Sequence, residues 1–128
     1  MIYKRHIFRE NVSFLMEDFI MEFSYNKQNG SLKICMPPEL DECSVKDMRS
    51  DADLLIDTYQ VRHLIFDFSN TVFMDSSGVG MLIGRCKQMH YRTGTSKAIH
   101  VNDRVRKIFR LSGLEHMIAI EEEEEDHE

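Results

Sequence analysis

Positive charge is scarce for a chain of this size. Sixteen Lys and Arg stand against 22 Asp and Glu, for a formal charge of -6, which excludes the basic face of a typical nucleic-acid binder. Cysteine is scarce too: Cys35, Cys43 and Cys86 are odd in number and scattered, and give neither a disulfide framework nor a zinc spacing. No apolar run approaches the roughly 18 residues of a membrane span. The start, Met1-Ile2-Tyr3-Lys4-Arg5-His6, runs into Arg9, Glu10, Glu17 and Asp18 and has no signal-peptide core. The protein is therefore expected to be soluble and cytoplasmic. His6, His63, His90, His100, His116 and His127 form no pair at helical ligand spacing. A nucleophile elbow of the Gly-x-Ser-x-Gly type is missing, and no His–Asp pair is placed to activate a serine. Hydrolytic and metal chemistry both fall away, and no cofactor is expected.

What the sequence does have is one sharply marked stretch, Phe73-Met74-Asp75-Ser76-Ser77-Gly78-Val79-Gly80. Before it, Val61-Arg62-His63-Leu64-Ile65-Phe66-Asp67-Phe68 reads as a buried strand. After it, Val79, Leu82, Ile83, Cys86, Met89 and His90 recur at helical spacing, with Arg85, Lys87 and Gln88 on the other face. Asp75, Ser76 and Ser77 fall where strand gives way to helix, and their short oxygen-bearing side chains suit the free amides of a first turn.

The 128 residues allow one domain with a real core. Residues 1–20 are weakly amphipathic, with Phe14, Leu15, Phe19 and Ile20 at loose helical spacing. They form an N-terminal extension of uncertain structure, and Met16 and Met21 offer alternative starts. Phe23 and Tyr25, then Leu32, Ile34 and Met36, alternate around Lys27-Gln28-Asn29-Gly30 as a hairpin. Pro37-Pro38 ends it. Asp41 or Ser44 caps a helix carrying Val45, Met48, Ala52, Leu55, Ile56 and Tyr59 on one face to about residue 60. The central strand covers 62–68 and the next helix runs from Ser77 to about Arg92, with Gly94 beyond it. Ala98, Ile99 and Val101 make a strand. Asn102-Asp103 caps a helix bearing Val105, Ile108, Phe109 and Leu111, Ser112-Gly113 stops it, and Met117-Ile118-Ala119-Ile120 closes the domain as a strand. The order β-β-α-β-α-β-α-β implies right-handed crossovers and a mixed sheet covered by helices, an α/β fold. The run Glu121-Glu122-Glu123-Glu124-Glu125-Asp126-His127-Glu128 repels itself and reads as an acidic disordered tail, 121–128.

Three functions remain open for the central stretch. Capping alone is the structural one. Gly78-Val79-Gly80-Met81-Leu82-Ile83-Gly84, with Asp103 after the next strand, is a small dinucleotide-binding pattern, although Asp75 sets a carboxylate where pyrophosphate would approach. Gly80 and Gly84 also read as sites where the helix packs closely on the sheet. Finally, a phosphoserine at Ser76 or Ser77 carries about -1.5 to -2 charges at neutral pH, which a helix N-terminus tolerates. A partner docked on the loop would meet repulsion.

The segment from Val72 to Gln88 resembles the signature of bacterial anti-sigma factor antagonists, proteins of the STAS domain family. Val105-Arg106-Lys107-Ile108-Phe109-Arg110-Leu111-Ser112-Gly113-Leu114 resembles the family's later helix, and Glu39-Leu40-Asp41 its loop before the first helix. The likeness runs from about Met21 to Ile120 and is nearest to antagonists of the sporulation sigma-F pathway. It implies a STAS domain at 21–120 and partner switching without enzymatic activity. In such a switch the unphosphorylated antagonist binds an anti-sigma factor that is also a serine kinase, and the sigma factor is released. ATP-dependent phosphorylation of the serine after the aspartate, Ser76 here, ends the binding, and a PP2C-type phosphatase resets it. The partner-binding residues so implied are Asp41, Asp75, Ser77, Gly78, Gly80, Met81 and Arg85. Two features depart from the family: Pro38 replaces the glycine usual before Glu39, and the chain turns acidic after Ile120, where a terminal helix is usual. The alternatives are a STAS scaffold or binding module that is never phosphorylated, and a small nucleotide-binding domain.

Overall fold

The computed structural model describes residues 3–7, 11–16 and 22–122. Nine strands and three α-helices follow in order. They are β1 (Tyr3–Ile7), β2 (Asn11–Met16), β3 (Phe23–Asn26), β4 (Ser31–Cys35), β5 (Glu39–Leu40), α1 (Glu42–Tyr59), β6 (His63–Asp67), β7 (Phe73–Met74), α2 (Ser76–Tyr91), β8 (Thr95–Ile99), α3 (Asp103–Ser112) and β9 (Ala119–Ile120), with a single 3₁₀ turn at Leu114–His116. The main sheet has the order β1-β2-β3-β4-β6-β8-β9. β1 to β4 pair antiparallel, and β4, β6, β8 and β9 pair parallel. The sheet is mixed, as expected from sequence.

Alternation sets the register. Leu32 and Ile34 on β4 lie beside Leu64 and Phe66 on β6, all four buried, while Ser31, Lys33, His63 and Ile65 point to the other face. Crossovers from β4 to β6, β6 to β8 and β8 to β9 all step one way across the sheet, and right-handed connections then put α1, α2 and α3 on the same face. The core lies between them. Phe109 of α3 meets Phe68 edge to face at 5.6 Å, and burying one such side chain is worth about 1.5–3 kcal/mol. Because each helix follows a parallel strand, all three helices begin at the carboxyl edge of the sheet. Their N-caps, Asp41, Asp75 and Asn102, share that edge.

Several expectations need correction. The loosely helical reading of 1–20 gives way to β1 and β2, strands that extend the sheet beyond β3, with β1 at its edge; residues 1–2, 8–10 and 17–21 lie outside the described residues. β5 and β7 are also new, a separate two-residue parallel pair. Strand β8 begins earlier than expected and stops before Val101, His100 turning the chain with a φ of 57°. On α3, Leu111 is 75% exposed rather than part of the apolar face. Of the acidic tail, Glu121 and Glu122 are ion-paired, to Lys97 at 2.8 Å and Arg106 at 2.9 Å; residues 123–128 of that expectation lie outside the described residues.

Gly80 and Gly84 are not the close-packing glycines, because a Cβ at either would have no neighbour within 4 Å. Gly78 is. A Cβ there would sit 2.3 Å from the Leu40 carbonyl oxygen and 2.9 Å from Met74 Cγ. We expect Gly78→Ala to lower the unfolding free energy by about 1–3 kcal/mol through overpacking. Gly80→Ala and Gly84→Ala, in open helix positions, should raise it by up to about 1 kcal/mol. Urea unfolding of the three variants checks this, and equal effects at 78 and 80 would refute it.

Candidate functional site

Two loops run side by side at the carboxyl edge and deliver two helices to one place. Thr71, itself fully buried, donates from Oγ1 to the Pro37 carbonyl at 2.8 Å. The amides of Val72 and Phe73 both donate to the Pro38 carbonyl, at 2.8 and 3.2 Å. Pro38, the departure noted in the sequence, thus works through its carbonyl, which a glycine would supply equally. Glu39 then pairs with Phe73 and Leu40 with Met74. From the far side, Asn102 Nδ2 donates to the Thr71 carbonyl at 2.8 Å while its Oδ1 caps α3 through the Val105 amide. The loop is clamped by α3 on one flank and β5 on the other.

One residue past β5 and β7 stand Asp41 and Asp75. Both are extended, with φ, ψ of −124°, −175° and −104°, −171°, the backbone of an N-cap. Asp41 Oδ1 accepts from the amides of Cys43 and Ser44 at 3.1 and 3.0 Å, and the Asp41 amide donates to Ser44 Oγ at 3.0 Å. Asp41 and Ser44, alternatives in the sequence, are two halves of one capping box. Asp75 Oδ1 accepts from Ser77 at 2.9 Å and Gly78 at 3.1 Å. The cap of α2 is therefore the carboxylate. Neither serine hydroxyl makes a hydrogen bond among the described residues.

Ser76, the first residue of α2, is exposed and Ser77 half-buried, with Gly80 exposed one turn on. Three other residues expected on the docking face lie behind it. Gly78 is buried against β5. Met81 is 2% exposed, inside the core, and Arg85 only 8% exposed, so neither offers its side chain as an outer contact. The reason is rotational: with Gly78 seated on Leu40, positions 81, 82, 85, 86 and 89 follow on the same helix face. A stripe counted from apolar residues alone overlooks glycine, and so centred one position late, on Val79. Val79 and Ile83 sit at its margin, and His90 is exposed.

Arg85 spans the α1–α2 seam. Its Nη1 donates to the Arg49 carbonyl at 3.3 Å, and its Nε lies 3.1 Å from Asp53 Oδ1. The Nε–H is not aimed at that oxygen, so the contact is Coulombic. Burial pulls the guanidinium below its ordinary pKa, and Asp53 pushes back. Next to Asp75, Val72 and Phe73 are 50% and 46% exposed and form an apolar flank.

The arrangement refuses some chemistry. The amides of Ser77 and Gly78, which a pyrophosphate would need, are occupied by Asp75; this weighs against the dinucleotide pattern. Among the described residues no group of three His, Cys, Asp or Glu could hold a metal. Cys86 is buried and its thiol is pushed up by that burial. Among them also, no helix is long and apolar enough to cross a membrane.

Comparison with known proteins agrees with the motif resemblance. A family model described as the STAS domain matches residues 6–127. The chain is 29% identical over 104 residues to the anti-sigma F factor antagonist of Paenibacillus polymyxa, covering 81% of this chain and 89% of that protein. It is 27% identical over 96 residues to the anti-sigma-B factor antagonist of Staphylococcus aureus, covering 75% and 81%. The solved structure of the unphosphorylated antagonist SpoIIAA superposes with a TM-score of 0.66 at 24% identity, over 95% of this chain and 90% of that one, a likeness of fold.

Because the Asp75 carboxylate satisfies two amides and Ser76 none, their substitutions should separate. Asp75→Ala should cost about 0.5–2 kcal/mol, and Ser76→Ala should stay within about 0.5 kcal/mol of the parent. Chemical unfolding measures both. A Ser76→Ala loss as large as that of Asp75→Ala would mean that the hydroxyl is structural.

Proposed function

This chain belongs to the STAS-domain family, and we propose that within it the protein is an anti-sigma factor antagonist that works by partner switching. The unphosphorylated form binds an anti-sigma factor with serine kinase activity, and the sigma factor is set free. The kinase moves the γ-phosphoryl group of ATP to Ser76: a bond forms from Ser76 Oγ to phosphorus, the bond to the ADP oxygen breaks, and the serine proton leaves. A metal-dependent PP2C-type phosphatase hydrolyses the ester and restores binding. The antagonist supplies a substrate hydroxyl and a docking face, and no catalysis. Its setting would be the cytoplasm, where ATP and sigma factors are, with no direct contact to nucleic acid or membrane.

The observation that carries this reading is the exposed Ser76 hydroxyl, unengaged among the described residues on a helix turn capped by another residue. A phosphoacceptor must leave the fold and enter a kinase site without breaking its own structure, and this one can. Asp41, Asp75, Ser77 and Gly80 share the face with it. Gly78, Met81 and Arg85 serve that face from behind, fixing the seat of α2. Phosphorylation adds about -1.5 to -2 charges beside the Asp75 carboxylate. The loaded face must then be desolvated against a partner fitted to a neutral hydroxyl, and like charges in an interface cost several kcal/mol.

Two measurements test it. Intact mass after incubation with the candidate kinase and ATP should give one phosphoryl group on the parent and on Ser77→Ala, and none on Ser76→Ala. Binding to the anti-sigma factor should be kept by Ser76→Ala and weakened at least about 10-fold by Ser76→Glu. No phosphate on any of the three proteins from a kinase active on another antagonist would leave a binding module that is never phosphorylated.

A further inference from the structure

A depression of about 400 Å³ opens between α1 and the first turn of α2, lined by Glu42, Val45, Lys46, Arg49 and Ser77. Ser76 is the residue next to its wall. Lys46 and Arg49 are three apart on α1, so both cations lean over the same side of the helix, and both are exposed. Arg85, Arg92, Lys97 and Arg106 each have a carboxylate within 3.1 Å, whereas neither Lys46 nor Arg49 is ion-paired among the described residues.

We propose that this depression is a phosphate-receiving site acting within the same chain: the phosphoryl group on Ser76 turns into it and is held by Lys46 and Arg49. This rests on Ser76 as the phosphoacceptor and goes beyond it, naming where the added charge goes. The usual seat for a phosphate at a helix start is the set of free amides there. Here the Asp75 carboxylate already holds those of Ser77 and Gly78. A dianion displaced from them is repelled by Asp75 and Asp41 at the two caps and by Glu42 on the depression's own wall. Lys46 and Arg49 are the uncommitted cations of that wall, Asp53 being engaged with Arg85, and the Ser77 hydroxyl is available to donate. An Arg and a Lys together suit a phosphate, the first by its fork and the second as a point charge. Filled in this way, the depression loses two cations and a hydroxyl as docking groups. Phosphorylation then removes contacts in addition to creating repulsion.

The test uses the full chain carrying phosphoserine at position 76, installed during translation so that no kinase is involved. Its second phosphate ionisation, ordinarily about 6, is followed by ³¹P NMR titration. In Lys46→Gln/Arg49→Gln it should rise by about half a unit or more relative to the phosphorylated parent, with each single variant giving part of the rise. Lys107→Gln/Arg110→Gln on α3, the same change in total charge at exposed positions, should leave it in place. The proposal is overturned if the first double variant titrates with the parent, or if both double variants shift alike. Kinase labelling of Ser76 is scored separately, so failure of the phosphoacceptor assignment and failure of the phosphate site are told apart.

Discussion

The carbonyl oxygen of Leu40 is the point through which the two halves of the functional face are joined. It accepts the Asp75 amide at 3.2 Å and forms the floor on which Gly78 rests. Strand β5 lies in the main sheet no more than β7 does, and two residues of ladder each would be marginal alone. They hold because Leu40 and Met74 are buried at 0% and 4% exposure and because Pro37 and Pro38 carbonyls catch the partner loop before the pair begins. The consequence is geometric. Once Leu40 and Met74 are in register, Asp41 and Asp75 are neighbours, α1 and α2 start together, and Ser76 is presented at a fixed height beside the first turn of α1.

The proposed switch would separate modification from folding. The hydrogen bonds that start α2 run to Asp75, one residue before the Ser76 hydroxyl. A cap is worth about 1 kcal/mol, a real share of the 5–15 kcal/mol that stabilises a typical domain. Had Ser76 been that cap, esterification would have disturbed the helix start along with the docking face. With the cap on Asp75, the proposed phosphorylation of Ser76 would change the surface and leave the seat of the helix alone. Free and modified forms of such a domain should differ in what they bind far more than in how they fold.

Much of this was legible in the sequence, and the limits of legibility have definite causes. Helices α1 and α3 are legible because their caps and apolar faces agree, Leu111 apart; Asp41 and Asn102 cap where expected. The start of α2 is legible because Asp-Ser-Ser-Gly stands between a buried strand and a helix, and Asp75 caps there. Strands β5 and β7 were not, since two residues fall below any period. β1 and β2 were misread because Tyr3-Lys4-Arg5-His6-Ile7 has weak alternation and takes its order from backbone pairing with β3's neighbour. The face of α2 departs from expectation for a different reason: its innermost residue is a glycine, silent in any hydrophobic count, and Arg85, expected on the polar face, lies in the buried stripe.

That arginine shows what the packing of α1 on α2 is asked to do. A buried charge is a poor source of stability, since desolvation of the ion offsets most of its attraction, and a methionine at position 85 would fill the same stripe. Arg85 instead adds direction. It can satisfy the Arg49 carbonyl and approach Asp53 in only one sliding register of the two helices, and the exposed Arg92–Asp57 pair at 3.1 Å repeats the condition further along the seam. Apolar side chains between two helices tolerate small slips; a guanidinium between a fixed carbonyl and a fixed carboxylate does not. The register matters because the depression beside Ser77 is walled by both helices. A slip of one turn would carry Lys46 and Arg49 away from the first turn of α2. The polar seam thus helps to keep the two walls of the site in step, together with the β5–β7 register that sets where both helices begin.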